Sequence, residues 1–128
     1  MSFVARHAPG SGEPIPARAG IGLRAEHYRD LAETRPDIGW IEVHGENYMG
    51  AGGPTRRWLA ALRERYPVSL HGIGLSLGTA GPRDARHLKR LAALAGWVAP
   101  GLVSEHLSWS IADGAFLVDG YDPVDGAL

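Results

Sequence analysis

The sequence predicts an α/β domain of parallel strands, either an open doubly wound sheet or part of a (β/α)8 barrel. Three observations predict it. The hydrophobic period switches repeatedly between two and 3.6, the mark of strands alternating with helices. Glycine and proline, 18 and 9 of the 128 residues, recur between the periodic stretches and are too frequent for a helical bundle. The order that results is βαβαβαβ, and right-handed crossovers turn such an order into parallel neighbours. A chain of this length suits one domain with one core.

Taken in order, residues 1–19 contain Pro9, Pro14 and Pro16, each of which fixes φ and removes a backbone donor. An extended arm is expected there, with the domain proper over 20–118 and a frayed tail over 119–128. Ile21 to Arg24 reads as a short strand. Glu26 to Thr34 reads as a helix with Tyr28, Leu31 and Ala32 on one face, stopped before Pro36. Trp40 to His44 is the second strand. Gly53 and Pro54 open a helix to Arg65, with proline in the first turn and Trp58, Leu59, Leu62 and Tyr66 on one face. Val68 to His71 is the third strand. Pro82 is expected to start the longest helix, burying Ala85, Leu88, Leu91, Ala92, Ala95 and Val98 and exposing Arg83, Arg86, Lys89 and Arg90; Pro100 follows its end. Leu102 to His106 is the fourth strand, and Ser108 to Phe116, centred on Asp113-Gly114, reads as a hairpin.

Composition removes several function classes. With 45% hydrophobic and 21% charged residues the chain has the make-up of a soluble globular protein. Its 13 basic and 14 acidic side chains leave a net charge of -1, which provides no footprint for nucleic acid. Cysteine is absent, so disulfides, thiolate zinc sites and a cysteine nucleophile are excluded, and any metal must be held by nitrogen and oxygen. The N-terminus MSFVARHAPG lacks the apolar stretch of a secretory signal, and nowhere do about 18 apolar residues run together. A cytoplasmic protein that neither spans nor binds a membrane is expected.

Three strands end in polar groups: His44 in EVHGEN, His71 in SLHGIG and Glu105 in SEHLSW. In parallel α/β folds the carboxyl ends of the strands share one edge, and active sites gather there. Alternation is consistent with convergence, because inward His44 and His71 leave Ile41, Val43, Val68 and Leu70 facing the helices. On the fourth strand Glu105 and His106 must face opposite sides, and Glu105 is expected to face inward. Two imidazoles and a carboxylate form a ligand set that suits non-haem Fe(II) with open positions, or catalytic zinc with a water. Each of the three could equally be satisfied by local hydrogen bonds. Glu46, Asn47 and His106 are supporting or substrate-contact candidates, with loop capping as the plainer role for Glu46 and Asn47. Trp109, just beyond Glu105, could line the pocket. His87 and His27 read as surface residues, and Trp40, Trp58 and Trp97 as packing residues.

Other motifs fail on context. Gly74-Leu75-Ser76-Leu77-Gly78 matches the pattern of a nucleophile elbow, but Gly78, Gly81 and Pro82 delay the helix that should start at the serine. A glycine-rich loop at the barrel mouth is the better reading. His44-x-Glu46 lacks the cysteine pair of a zinc deaminase, and no phosphate-binding glycine motif occurs.

The strings GIGLR, ETRPDIGWIEVHGENYMG, RYPVSLHGIGLSLG and LVSEHLSWS, in this order from about Ile21 to Val118, resemble the DUF692 (UPF0276) family of multinuclear non-haem iron-dependent oxidases. The resemblance implies a TIM-barrel fold, of which this chain would form roughly the first half, with two or three irons in the mouth of the complete barrel. It also implies O2 as co-substrate, a ribosomally made precursor peptide whose cysteines are oxidised, and often a partner protein that recognises the peptide. His44 and His71 are similar to the family's first two histidine ligands, and Glu105 to a carboxylate that bridges irons. A full (β/α)8 barrel takes about 250 residues, so the remaining ligands are expected in a second half. Two rival expectations follow: a non-catalytic half barrel that survives only by pairing with itself or another chain, and a divalent-metal hydrolase or isomerase of barrel type.

Overall fold

Alternating aliphatic and polar side chains set four short strands in one sheet. They are β1 (Ile21–Gly22), β2 (Ile41–His44), β3 (Val68–Gly72) and β4 (Leu102–Glu105). The computed structural model describes residues 12–109 and the backbone of 111–112 and 115–116. The strands lie in the spatial order β1-β2-β3-β4, and every neighbouring pair is parallel. Crossovers are made by α1 (Tyr28–Thr34), α2 (Pro54–Leu62) and α3 (Ala85–Val98). A doubly wound sheet reverses its strand order at a switch point, whereas a (β/α)8 barrel adds each strand beside the last. The order here is that of a barrel, and the chain is a partial one. A separate antiparallel pair, β5 (Ile111–Ala112) with β6 (Ala115–Phe116), supplies the expected hairpin; Asp113 and Gly114 lie outside the described residues.

The helix side of the sheet is the core. Ile41, Val43, Val68 and Leu70 are at most 1% exposed and pack with Leu31, Leu59, Leu62, Leu91, Leu94 and Val98. Each such side chain contributes about 1.5–3 kcal/mol by leaving water. The opposite side of β2 and β3 carries Glu42, His44, Ser69 and His71, as the period-two reading requires.

Several boundaries differ from the sequence reading, each for a local reason. The first helix begins with a 3-10 turn at Ala25–His27, and regular α geometry starts at Tyr28. The third helix begins at Ala85 rather than Pro82, because the Asp84 side chain accepts the N–H groups of Arg86 (2.8 Å) and His87 (3.1 Å) and so caps it. Its buried face is also turned from the expected one: Ala85, Leu88 and Ala92 are exposed, and Leu91, Leu94 and Val98 are buried. Arg35 and Ala99 close α1 and α3 in left-handed geometry, with φ of 49° and 50°. Residues 12–19 form no helix or strand, and they are tied down. Gly12 donates to the Ala99 carbonyl, and Arg18 pairs with Asp37 at 2.8 Å. Residues 1–11 and 119–128 of the expected arm and tail lie outside the described residues.

Candidate functional site

Register builds the site. His44 of β2 is paired with His71 of β3, and His71 with Ser104 of β4, so these three share the inner side at the carboxyl edge. The His44 and His71 rings have centroids 5.6 Å apart. The His71 and His106 rings are closer, at 4.7 Å. His71 Nδ1 lies 2.9 Å from the Ser104 hydroxyl, a contact that fixes the ring and leaves Nε2 for another partner. Imidazole nitrogens in a row suit Fe(II) or zinc. Among the described residues, however, no group of three histidine, aspartate or glutamate side chains is placed to hold a metal ion. The donor chemistry fits part of a metal shell and does not complete one.

The fourth strand departs from expectation. Glu105 was expected on the inner side, but β4 pairs Glu105 with Gly72, so alternation gives the inner side to Ser104 and, just beyond the strand, to His106. Glu105 lies against Gly72 on the other side, where a Cβ on that glycine would run into its carboxylate. Oε1 of Glu105 accepts the N–H of His106 at 2.9 Å, while Oε2 has no hydrogen-bond partner among the described residues. Burial raises the Glu105 carboxyl above its ordinary range, N–H donation from His106 opposes this, and the nearby Glu46 adds to it.

Glu46 is a clamp. Its Oε1 accepts the N–H groups of Ile73 and Gly74, both at 3.0 Å, and so fastens the loop after β3 to the turn after β2. His87 Nε2 lies 3.3 Å from the same oxygen without hydrogen-bond alignment. His87 is therefore not the solvated residue the sequence suggested. It sits one turn before Leu91 on the buried stripe of α3, and that i, i+4 relation was the available signal.

The remaining candidates spread around this centre. Asn47 is exposed in the turn Gly45–Tyr48 and stands with His44 in the wall of a cavity. Trp109 lies beside Gly78, whose N–H donates to the Ser108 carbonyl at 2.9 Å. Ser76 is 3% exposed, has φ of 52° and meets the Thr79 hydroxyl at 2.6 Å; no helix starts after it, in keeping with a loop rather than a nucleophile elbow. His27 Nδ1 accepts the Arg24 N–H at 3.3 Å at the start of the first helical turn. Trp58 stacks on Tyr28, and the Trp97 ring lies under Arg56 at 4.0 Å.

Residues 18–121 match the family described as RiPP precursor modification enzyme MbnB/TglH/ChrH. The chain belongs to that family. The UPF0276 protein of Bordetella pertussis is 51% identical over 116 residues, covering 91% of this chain and 39% of that protein. A UPF0276 protein of Paraburkholderia phytofirmans is 45% identical over 115 residues, covering 87% and 38%. One from Caulobacter vibrioides is 50% identical over 97 residues, covering 76% and 35%. This MbnB/TglH/ChrH member thus spans less than two fifths of the length of these relatives, which fits the N-terminal half of a barrel. Among its described residues no helix is long and apolar enough to cross a membrane.

Proposed function

We propose that this chain supplies part of the iron site of an O2-dependent oxidase that modifies cysteine residues of a ribosomally made precursor peptide. The observation that carries the reading is the imidazole row His44, His71 and His106 at the carboxyl edge of a parallel sheet, in a chain of a precursor-modifying family. His44 and His71 are proposed as neutral nitrogen ligands; Glu105, which the register sets on the other side of β4 from His71, is proposed as the carboxylate that offsets metal charge once its side chain turns round the strand end with Oε2, unengaged among the described residues. Bound iron would supply the reduction of O2. The chain's own groups do the positioning: Ser104 orients His71, and Glu46 holds the loop that follows it. His106 and Trp109 are candidates for substrate contact at the same edge. A peptide-recognising partner protein and a cytoplasmic setting, where ribosomal peptides are made, complete the proposal.

The test is anaerobic purification with Fe(II) and measurement of iron per protomer on the size-separated peak, beside His71→Ala. About one iron per protomer or more, lost in the variant, is expected. A folded, soluble peak without iron overturns the reading. That second outcome would favour a site completed only by another polypeptide segment, a reading supported by the exposure of Leu102 (48%) and Val103 (52%) on the edge strand.

A further inference from the structure

A cavity of about 640 Å³ opens beside the imidazole row, between the ends of β1 and β2. Arg24, Tyr28, Glu42, His44, Asn47 and Tyr48 stand in its wall. Its volume is that of a small-ligand site. The wall carries one guanidinium, one carboxylate and several neutral donors. Arg24 forms no ion pair among the described residues, whose two ion pairs are Arg18 with Asp37 and His87 with Glu46. The Tyr28 and Tyr48 hydroxyls lie 2.8 Å apart, so one donates to the other and the acceptor's own proton is left over. Burial, followed by that contact, holds the Tyr48 phenol well above its ordinary range, so it stays an O–H donor. The Asn47 amide is exposed and adds two N–H groups. The one carboxylate, Glu42, is engaged by the Ser69 hydroxyl at 3.3 Å.

Arg24, without an ion pair among the described residues, and the neutral donors beside it suit one small anion with two acceptor oxygens, while Glu42, turned to Ser69, keeps its charge and weighs against any larger one. A carboxylate has that form and matches a guanidinium in two parallel hydrogen bonds. A phosphate dianion would bring a second charge against Glu42 with no second cation in the wall.

We propose that this cavity is a carboxylate subsite, in which Arg24 pairs with the carboxylate, a tyrosine hydroxyl and the Asn47 amide donate to it, and an acidic group of the peptide is seated beside His44. That the acid belongs to a peptide substrate rests on the function proposed above. That the cavity takes a carboxylate rests on its wall alone. The acid is either a C-terminal carboxylate or an aspartate or glutamate side chain, and the two are separable by experiment.

The metal-free 128-residue chain is titrated by calorimetry with acetyl-Gly-Gly-Ala as the free acid, the same peptide as its C-terminal amide, and acetyl-Gly-Asp-Gly-amide. Trp58, stacked on Tyr28 with centroids 5.9 Å apart, gives a second readout by fluorescence. At least one acid is expected to bind at about millimolar Kd, with the amide about tenfold weaker or more. Binding of the first peptide alone assigns a C-terminal carboxylate, of the third alone an internal acid, and of both a carboxylate from either source. Arg24→Gln is expected to weaken the acid about tenfold, and Asn47→Ala, at an exposed position, severalfold. No acid binding, equal binding of acid and amide, or unchanged affinity in folded Arg24→Gln overturns the subsite. Since no metal is present, acid binding by a chain that fails to take up iron would keep the subsite and remove the proposed function, and iron uptake without acid binding would do the reverse.

Discussion

Two carboxylates within a few residues of the imidazole row have opposite roles. Glu46 is spent on backbone: one oxygen satisfies the N–H groups of Ile73 and Gly74. Removing it takes from two partly buried donors the carboxylate they share, and such a loss costs about 1–3 kcal/mol. Glu46→Ala is therefore expected to lower the unfolding free energy measured in urea by an amount in that range, and Glu46→Gln, which keeps an acceptor oxygen, by less. Glu105 is held with its charge partly desolvated. A carboxyl whose folded pKa is raised binds its proton more tightly when folded, so its contribution to stability falls as pH rises from the ordinary carboxyl value through the raised one. In the metal-free chain Glu105→Gln should remove that pH dependence and raise stability at neutral pH, while lowering iron uptake. Denaturation curves across mildly acidic to neutral pH check the first part and metal analysis the second; a variant less stable than the parent at neutral pH would contradict the assignment of burial as the cause.

At the scale of elements, helix ends carry the most exposed consequences. Ala99 closes α3 with φ of 50°, a conformation that a Cβ disfavours by about 1–2 kcal/mol and glycine adopts freely. Ala99→Gly is expected to raise stability by about 0.5–1 kcal/mol in equilibrium denaturation, the usual part of that cost being returned to the flexible unfolded chain. Asp84 caps the other end of the same helix, and the N–H groups of His87 and Arg86 hold its carboxyl below the ordinary range. A lowered carboxylate stabilises above its unfolded value and loses that contribution as pH falls through its folded one. Asp84→Ala should thus lower the melting temperature at neutral pH and lose its effect in acid. These ends also show what the sequence could tell. Strand positions were legible because Ile41, Val43, Val68 and Leu70 alternate with polar residues, and these four are at most 1% exposed. Helix phase was less legible, since Leu88 and Leu91 both suit a buried stripe by type and only packing chooses Leu91. That choice also carries His87 inward. Register across β4 was the least legible of all, because alternation within one strand separates Glu105 from His106 without saying which faces His71; only pairing with β3 decides it.

Among the described residues the sheet is open at two edges, β1 and β4. In the row Val43, Leu70 and Val103, which runs across three strands on the helix side, the first two are 0% exposed and the third is 52% exposed. Leu102, facing the other way, is 48% exposed, and Leu107 beyond the strand is 61% exposed. Each face of β4 thus carries an exposed aliphatic side chain, and among the described residues its outer backbone has no partner strand, the combination that drives edge-to-edge association. A closed barrel solves this by giving the fourth strand a fifth neighbour and a covering helix. Without such a neighbour the same surface must find another cover or remain in water. The chain is therefore expected to self-associate with rising concentration in sedimentation velocity, and Val103→Lys, which places a charge in the exposed end of the row without touching the buried part, is expected to shift the distribution toward monomer. Iron content measured on the same fractions links the edge to the site. Iron confined to the associated species would mean that closing β4 completes the ligand shell begun by His44 and His71, whereas iron held equally by monomer would place the whole of the bound metal's ligands on the first half of the barrel.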